Sequence, residues 1–505
     1  MVQTVVMTST DAHRSDAADG LGVGGPRGDR RPRRRPHRGG AGVGTDWPVA
    51  ALAGSTFAPL WLDTPERPAA RSGLDGDTQV DLLVVGGGFT GLWTALRAVE
   101  RRPGRSVLLV ESDRIAEHAT GRNGGFCEAS LTHGEANGRS RWPEEYDALH
   151  SLGLRNLDEI EATIARESID CGFHRGGVLA VATRPHEVAD LEPDQPGFLD
   201  ADAVRRMLAS PTYLAGRFEA DESAVVDPAR LAWGLARAAE ARGVRIAEHT
   251  RLTGMRRRTG GVEATVTTST GTGTVTVRAR EVALATNVFP TPLRRSRWSV
   301  VPVYDYVLAT EPLTDEQLAG LGWDPTIGVA DSGNRFHYYR ITPDRRILWG
   351  GYDAIYHYGR SITPGHGDRR TTFETLARHF GETFPQLRGI RFSHRWSGVI
   401  DTSTRFCAFY GTAHRGRTVY AAGFTGLGVG ASRFAADVML DLLAGEETER
   451  TRLRMVRERA VPFPPEPFAW IGIQLTRWSL ARADRTGRRN AWLRTLDRFG
   501  LGFDS

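Results

Sequence analysis

Short apolar runs bounded by glycine or polar turns alternate with stretches of helical period along this chain. Val80-Asp81-Leu82-Leu83-Val84-Val85 has the length and continuity of a buried strand, and Ser106-Val107-Leu108-Leu109-Val110-Glu111 repeats the pattern. Between them, Leu92 to about Arg101 reads as a helix. Strand, helix and strand in that order predict a βαβ unit and a parallel sheet. Pro228 to Arg242 reads as a helix with Leu231, Leu235 and Ala238 on one face, followed by the strand Val244-Arg245-Ile246-Ala247. Val262 to Arg278 alternates with threonine, the period of a β meander, and Glu281 to Asn287 predicts a further buried strand. Residues 300–395 mix strands (Val303 to Ala309, Arg346 to Gly350) with a helix near Phe373 to Phe384. A last strand, Thr418 to Ala422, enters a glycine-rich turn and a helix from Ser432 to Leu443. Parallel-type segments interrupted by antiparallel-type ones predict a discontinuous domain with a second domain threaded between its pieces. No internal repeat is found.

Composition narrows the chemistry. The chain has 505 residues, 40% of them hydrophobic, which suffices for two sizeable cores. It contains no lysine, so all 65 basic residues are arginine. That removes Schiff-base chemistry, pyridoxal phosphate attachment and a P-loop lysine together. Residues 1–45 carry eight arginines against four aspartates, so most of the net charge of +5 belongs to this segment. They have few large apolar side chains and read as a disordered tail, with order beginning near Phe57-Ala58-Pro59-Leu60-Trp61. With the excess charge confined there, no nucleic-acid partner is expected for the folded body.

Cys127, Cys171 and Cys407 are too far apart for a metal pattern, and their odd number makes no disulfide framework. No metal site is expected, and a reducing, cytoplasmic setting fits best. No apolar run is long enough for a transmembrane helix. Arg30-Arg31 and Arg33-Arg34-Arg35 are followed by glycine-rich rather than apolar sequence, so a twin-arginine signal is not expected.

The strongest motif is Gly86-x-Gly88-x-x-Gly91, placed after a strand and opening a helix, with Glu111 at the end of the next strand. Gly86 allows the tight turn, Gly88 lets a pyrophosphate approach the backbone, and Gly91 permits close packing of helix on strand. The helix N-terminus faces the phosphates, and Glu111 suits ribose hydroxyls. NAD and FAD share this adenosine half. Two other segments favour the longer FAD: the polar loop Thr120-Gly121-Arg122-Asn123-Gly124-Gly125, and Ala422 to Gly430, a second glycine-rich helix start able to aim its dipole at a flavin ring.

Taken together, Asp81 to Gly91, Glu111, Thr120 to Gly125, Val226 to Leu231, Ala285-Thr286-Asn287, Trp396-Ser397-Gly398 and Gly423 to Gly430 resemble the D-amino-acid-oxidase-like FAD-dependent oxidoreductases, in particular the group of γ-glutamylputrescine, glycine and sarcosine oxidases. The resemblance spans roughly residues 57–450. It implies an α/β, or α+β, two-domain flavoprotein: a Rossmann-like FAD-binding domain with a mixed-sheet substrate domain. The expected FAD-binding pieces are 57–170, 226–299 and 396–450. The substrate pieces are 171–225 and 300–395, and a linker with amphipathic helices follows at 460–505. The expected cofactor contacts are Gly86, Gly88, Phe89, Thr90, Gly91, Glu111, Ser112, Thr120, Gly121, Arg122, Asn123, Gly124, Gly125, Leu252, Ala285, Thr286, Gly398, Gly423, Thr425, Gly426, Leu427 and Gly428.

The implied reaction moves hydride from the carbon beside an amine or amino-acid nitrogen to the flavin, which oxygen or another acceptor then reoxidises. Sarcosine-oxidase-like members use a lysine near the flavin for oxygen, and this chain has none, so an arginine or histidine would have to serve, or the acceptor is not oxygen. A hydroxy-acid dehydrogenase and a non-catalytic flavin- or nucleic-acid-associated protein are the alternatives. Covalent attachment through Cys407 or His118 is less expected than a packed cysteine and an ordinary histidine.

The substrate segment is harder to read. In Arg335-Phe336-His337-Tyr338-Tyr339-Arg340, strand alternation puts Arg335, His337 and Tyr339 on one face and Phe336, Tyr338 and Arg340 on the other. Arg340 is a candidate carboxylate clamp, with a salt-bridged strand arginine as the alternative. His337 and Tyr304 are the other candidate catalytic residues, although core packing suits Tyr304 and Tyr306 better. Beyond the stiff Pro462-Phe463-Pro464-Pro465-Glu466-Pro467, the residues Trp470, Ile471, Leu475 and Trp478 fall near one helical face, and Asn490 caps a second helix. Packing on the body or across a dimer is expected for them, ahead of a membrane-surface helix.

Overall fold

The computed structural model describes residues 47–268, 273–293 and 296–501. The arginine-rich 1–45 segment lies outside them. Two large sheets organise the chain. In the first, Thr78–Val85 pairs in parallel with Val107–Val110 and with Thr274–Leu284, and Val107–Val110 pairs in parallel with Arg245–Ala247. Thr250–Arg258 and Gly261–Thr268 extend it as an antiparallel meander, and Thr418–Ala422 joins Thr274–Leu284 in parallel.

The continuous apolar runs follow from burial on both faces. Leu82, Val84, Val107 and Leu109 point into the main core beneath the helices. Leu83, Val85, Leu108 and Val110 point to the opposite core, against Val262, Ala264 and Val266 of the meander. The helices Phe89–Arg101 and Gly428–Ala444 lie side by side and are tied by Arg97 and Arg101 to Asp437 at 3.0 and 2.8 Å and by Arg101 to Asp441 at 2.7 Å.

The second sheet has nine strands and is mixed. Its centre is the long antiparallel pair Val300–Thr310 with Phe392–Ser403, flanked by Ile347–Gly351, His337–Ile341 and Gly328–Asp331. Tyr304, Tyr306, Leu308, Tyr339, Ile341 and Trp349 enter a core shared with Phe373, Phe380 and Phe384 of the helix Arg370–Thr383 and the turn after it. Val307, Ala309 and Tyr338 face the main core instead. This alternation decides which side chains reach the site.

The structure corrects several expectations. Order begins earlier than Phe57, with a helix at Trp47–Leu52 whose Trp47 ring lies against Gly381. The end of the expected meander and the strand expected from Glu281 are one strand, Thr274–Leu284, because pairing with Thr78–Val85 runs on from Val277 to Leu284. The helix after the strand Thr418–Ala422 starts at Gly428, not Ser432, so Gly428 and Gly430 belong to its first turn. The expected boundary at 395/396 falls inside the strand Phe392–Ser403, which belongs to the nine-stranded sheet throughout.

In the helix Phe468–Thr486, Ala469, Ser479 and Ala483 are buried, while Phe468, Ile471, Leu475 and Trp478 stay on the surface of this chain. Asn490 caps Ala491–Arg498 as expected, accepting from the Leu493 amide at 3.0 Å. Among the described residues no helix is long and apolar enough to cross a membrane. The three cysteines are free and buried.

Candidate functional site

A cavity of about 350 Å³ runs along the ends of the parallel strands into the space between the sheets. Topology puts it there: ligands of parallel α/β sheets lie beyond the carboxyl ends of the strands. At one end stand Glu111, Ser112, Asp113, Arg251 and Leu252, in the middle Gly86 to Thr90 with Thr120 and Ala285, and at the other end Gly398 to Asp401, Phe424, Gly426 and Gly428.

Two helices begin at this cavity, Phe89–Arg101 and Gly428–Ala444; neither is capped by its own N-cap residue or has an acidic residue in its first turn, although the Phe89 amide donates to Thr120 Oγ1 at 3.1 Å. Helix starts are normally capped by a side-chain oxygen. With no N-cap side chain, both offer their remaining first-turn amide N–H groups and positive dipole ends to an anionic or electron-rich ligand. Nothing lies within 4 Å of a Cβ built on Gly428, so that approach is open.

Glu111 is ordered by three donors: the Gly87 amide at 2.6 Å, the Asp113 amide at 2.8 Å and the Ser112 hydroxyl at 3.1 Å. A carboxylate has about four acceptor positions, so some capacity remains for a ribose hydroxyl. The loop from Thr120 to Gly125 is pinned from both sides. Asn123 accepts from the Gly125 amide at 2.8 Å and donates to the Thr120 carbonyl at 2.7 Å. Trp61 donates to the Asn123 carbonyl at 2.8 Å, and Trp396 to the Arg122 carbonyl at 2.9 Å. The second glycine turn hangs from Asp401, whose carboxylate accepts from the Gly423 amide at 2.6 Å. Burial pushes Asp401 up to about 7.

The sequence profile of the FAD dependent oxidoreductase family matches residues 81–442. The chain belongs to this family. Gamma-glutamylputrescine oxidoreductase of Escherichia coli (strain K12) is 30% identical over 383 residues, 72% of this chain and 84% of that protein. Sarcosine oxidase subunit beta of Rhizobium meliloti (strain 1021) is 25% identical, covering 69% of this chain and 78% of its own length. The crystal structure of glycine oxidase from Geobacillus kaustophilus superposes with a TM-score of 0.60 at 20% identity, covering 76% of this chain and 99% of that one. The fold is therefore the mixed two-sheet α/β architecture of these flavoproteins, and FAD is the family's cofactor.

The residues present fit FAD. The cavity of this FAD-dependent oxidoreductase is long and touched from both ends of the chain, with an acidic strand end at one extremity and two helix starts farther along. Of the expected contacts, Gly86, Gly88, Phe89, Thr90, Glu111, Ser112, Thr120, Arg122, Asn123, Gly124, Leu252, Ala285, Thr286, Gly398, Gly426 and Gly428 line it. Gly91, Gly121, Gly125, Gly423, Thr425 and Leu427 do not.

The glycines among these six serve packing instead. A Cβ on Gly91 would sit 1.9 Å from the Gly86 carbonyl oxygen, and one on Gly121 would sit 2.3 Å from that of Ala116. Gly125 lies against Val226, and Gly423 against Ser403 and Phe409. Thr425 folds into its own turn, donating to the Gly423 carbonyl at 3.0 Å. The Leu427 side chain is buried in the main core.

None of the three candidate catalytic residues lines the cavity. Arg340 is fully buried and donates to the carbonyls of Val226 at 2.8 Å and Gly125 at 3.2 Å, so its charge fastens the 120s loop rather than a ligand. His337 stacks between Trp349 and Tyr352 and bonds to His379 at 2.9 Å on the far face of the sheet. Tyr304 packs among His357 and His366 and donates to the Thr363 carbonyl. Their alternates, Asp305 and Tyr338, do line the cavity. The readable signal was an acidic residue inside the apolar run Val303 to Ala309.

His118 also lines the cavity, near Glu111. Its ring meets that of Phe289 at 4.5 Å, tilted by 49°, and burial holds its imidazole below the usual range. Cys407 is buried and outside the lining.

Proposed function

We propose that this enzyme oxidises the C–N bond of an amine or amino acid. FAD, when bound, would supply the two-electron acceptor for the hydride, a proton with two electrons, that leaves the carbon beside nitrogen. The resulting imine takes up water to give a carbonyl compound and a free amine. The observation that carries the reading is one continuous cavity joining the acidic strand end at Glu111 to a buried polar pair, Asp305 and Tyr338, supplied by the other sheet. The protein's part is positioning and exclusion of water, which hydride transfer needs more than a nucleophile. The names of the three relatives given above, each concerned with an amine or an amino acid, support the same class.

Gly86 to Thr90 would hold the pyrophosphate, Glu111 the adenosine ribose, and the Gly426 and Gly428 turn the flavin ring. Arg122 lies against Gly398, but it donates to the Glu117 carbonyl at 2.7 Å and the Ser397 carbonyl at 3.3 Å. No lysine is available to assist oxygen, so a carrier acceptor fits better than oxygen. Three buried, unpaired cysteines suit a cytoplasmic setting.

The test is an anaerobic titration of the purified yellow protein with amines, amino acids and hydroxy acids, following loss of the flavin absorbance band. Bleaching by amines or amino acids is expected. Bleaching by hydroxy acids alone would overturn the reading. A companion measurement concerns attachment. With no cysteine lining the cavity, acid precipitation is expected to release the flavin entirely into the supernatant, and flavin retained in the pellet would point to His118.

A further inference from the structure

We propose that Asp305 and Tyr338 select the substrate, and that it is an amine cation bearing no carboxylate beside the reacting carbon. The inference rests on the amine-oxidising reading and narrows it. Asp305 sits opposite Gly398 in the antiparallel pair Val300–Thr310 with Phe392–Ser403, so it faces the cavity end formed by Gly398 to Asp401, far from Glu111. Tyr338 donates a hydrogen bond to the Asp305 carboxylate.

The phenol is held in place by two glycines. A Cβ on Gly124 would come 2.6 Å from the Tyr338 ring, and one on Gly350 would come 2.5 Å from it. Phe126 meets the same ring edge-on at 5.8 Å. Asp305 is thus a buried carboxyl at a set position, accepting from Tyr338 and from the backbone amides of Tyr306 and Gly351, and a carboxylate's roughly four acceptor positions leave room for one more donor.

The charges at this end are one-sided. Asp305 and Asp401 are both acids. Arg114 and Arg251 belong to the Glu111 end, and Arg114 donates to the Pro68 carbonyl. Arg122 is engaged by backbone carbonyls and by Glu117 at 3.6 Å. Arg340, the residue most suited to clamp a carboxylate, is turned to Gly125 and Val226. A ligand carboxylate placed beside Asp305 would meet like charge and no free guanidinium fork, whereas an ammonium would gain a charge-assisted hydrogen bond.

The holoenzyme can be tested with two ligands that carry no hydrogen on the carbon bearing nitrogen and so cannot be oxidised: tert-butylamine and 2-aminoisobutyrate. Each is titrated while the flavin absorbance band is followed for a shift. The amine is expected to bind at least about tenfold tighter than the amino acid. Asp305→Asn is expected to weaken the amine by about ten- to hundredfold while flavin content is unchanged.

Equal or tighter binding of 2-aminoisobutyrate, or unchanged amine affinity in Asp305→Asn, overturns the inference. The two-ligand comparison needs no variant, so it decides even if Asp305→Asn does not fold. Because neither ligand is turned over, the result is separate from the bleaching test. If amino acids bleach the flavin better than simple amines, this inference falls and the amine-or-amino-acid reading stands. If only hydroxy acids bleach it, both fall.

Discussion

Gly88→Val is expected to yield a folded protein that retains no flavin. Gly88 is extended, at φ −86 and ψ −178, a conformation open to any residue, so the backbone is not strained by substitution. A Cβ there would sit 2.9 Å from Thr120 Oγ1, the end of a rotatable side chain. The two valine methyl groups would instead occupy the cavity where the first helix start meets its ligand. Overpacking of about 1–3 kcal/mol corresponds to a loss of roughly ten- to hundredfold in affinity, before any loss of helix-start contacts is counted.

The neighbouring glycines should behave differently. Gly86 has φ +114, and its Cβ would approach the Ala285 carbonyl oxygen at 2.2 Å, so Gly86→Val is expected to damage the fold itself. The ratio of flavin to protein after purification, with a thermal melt of the same sample, separates the two outcomes. A Gly88→Val protein with the full flavin content would remove the assignment of this loop.

Asp401→Asn is expected to raise stability at alkaline pH and to flatten the dependence of stability on pH. Burial lifts the Asp401 carboxyl from the ordinary 3.8 to about 7. Between those values the native protein keeps a proton that the unfolded chain has lost, so stability falls as pH rises through that window. The full penalty, on the order of 4 kcal/mol, is present above pH 7 and absent below about pH 4. Asparagine does not titrate there, and its side-chain oxygen still accepts from the Gly423 amide. Urea unfolding at pH 5 and pH 8 checks this. An Asp401→Asn protein whose midpoint shifts between the two pH values as much as the parent's would contradict the role of this proton.

The cofactor half was legible because its signals are local. The Gly86-x-Gly88-x-x-Gly91 run between an apolar strand and a helix, and Glu111 at the next strand end, demand a particular turn and a particular sheet wherever they occur. The substrate half was not, because strand alternation names two faces without saying which is covered. Tyr304, His337 and Arg340 carry more conspicuous chemistry than Asp305 and Tyr338, yet the helix Arg370–Thr383 packs over the face that holds Tyr304 and His337. Arg340 shares the face of Tyr338, but lies where the 120s loop needs its carbonyls tied.

By itself, then, the chain's pattern determined a parallel sheet, its glycine hinges and the acid at its edge, since each depends on residues close in sequence and on sterics that tertiary contacts cannot override. Only the folded arrangement decided which glycines border the ligand and which merely let backbone meet backbone, as Gly91 does against Gly86. It also decided that the carboxyl and phenol of Asp305 and Tyr338, rather than an arginine, stand at the far end. Those outcomes depend on the register of two strands more than ninety residues apart, Asp305 opposite Gly398, and on what packs behind them.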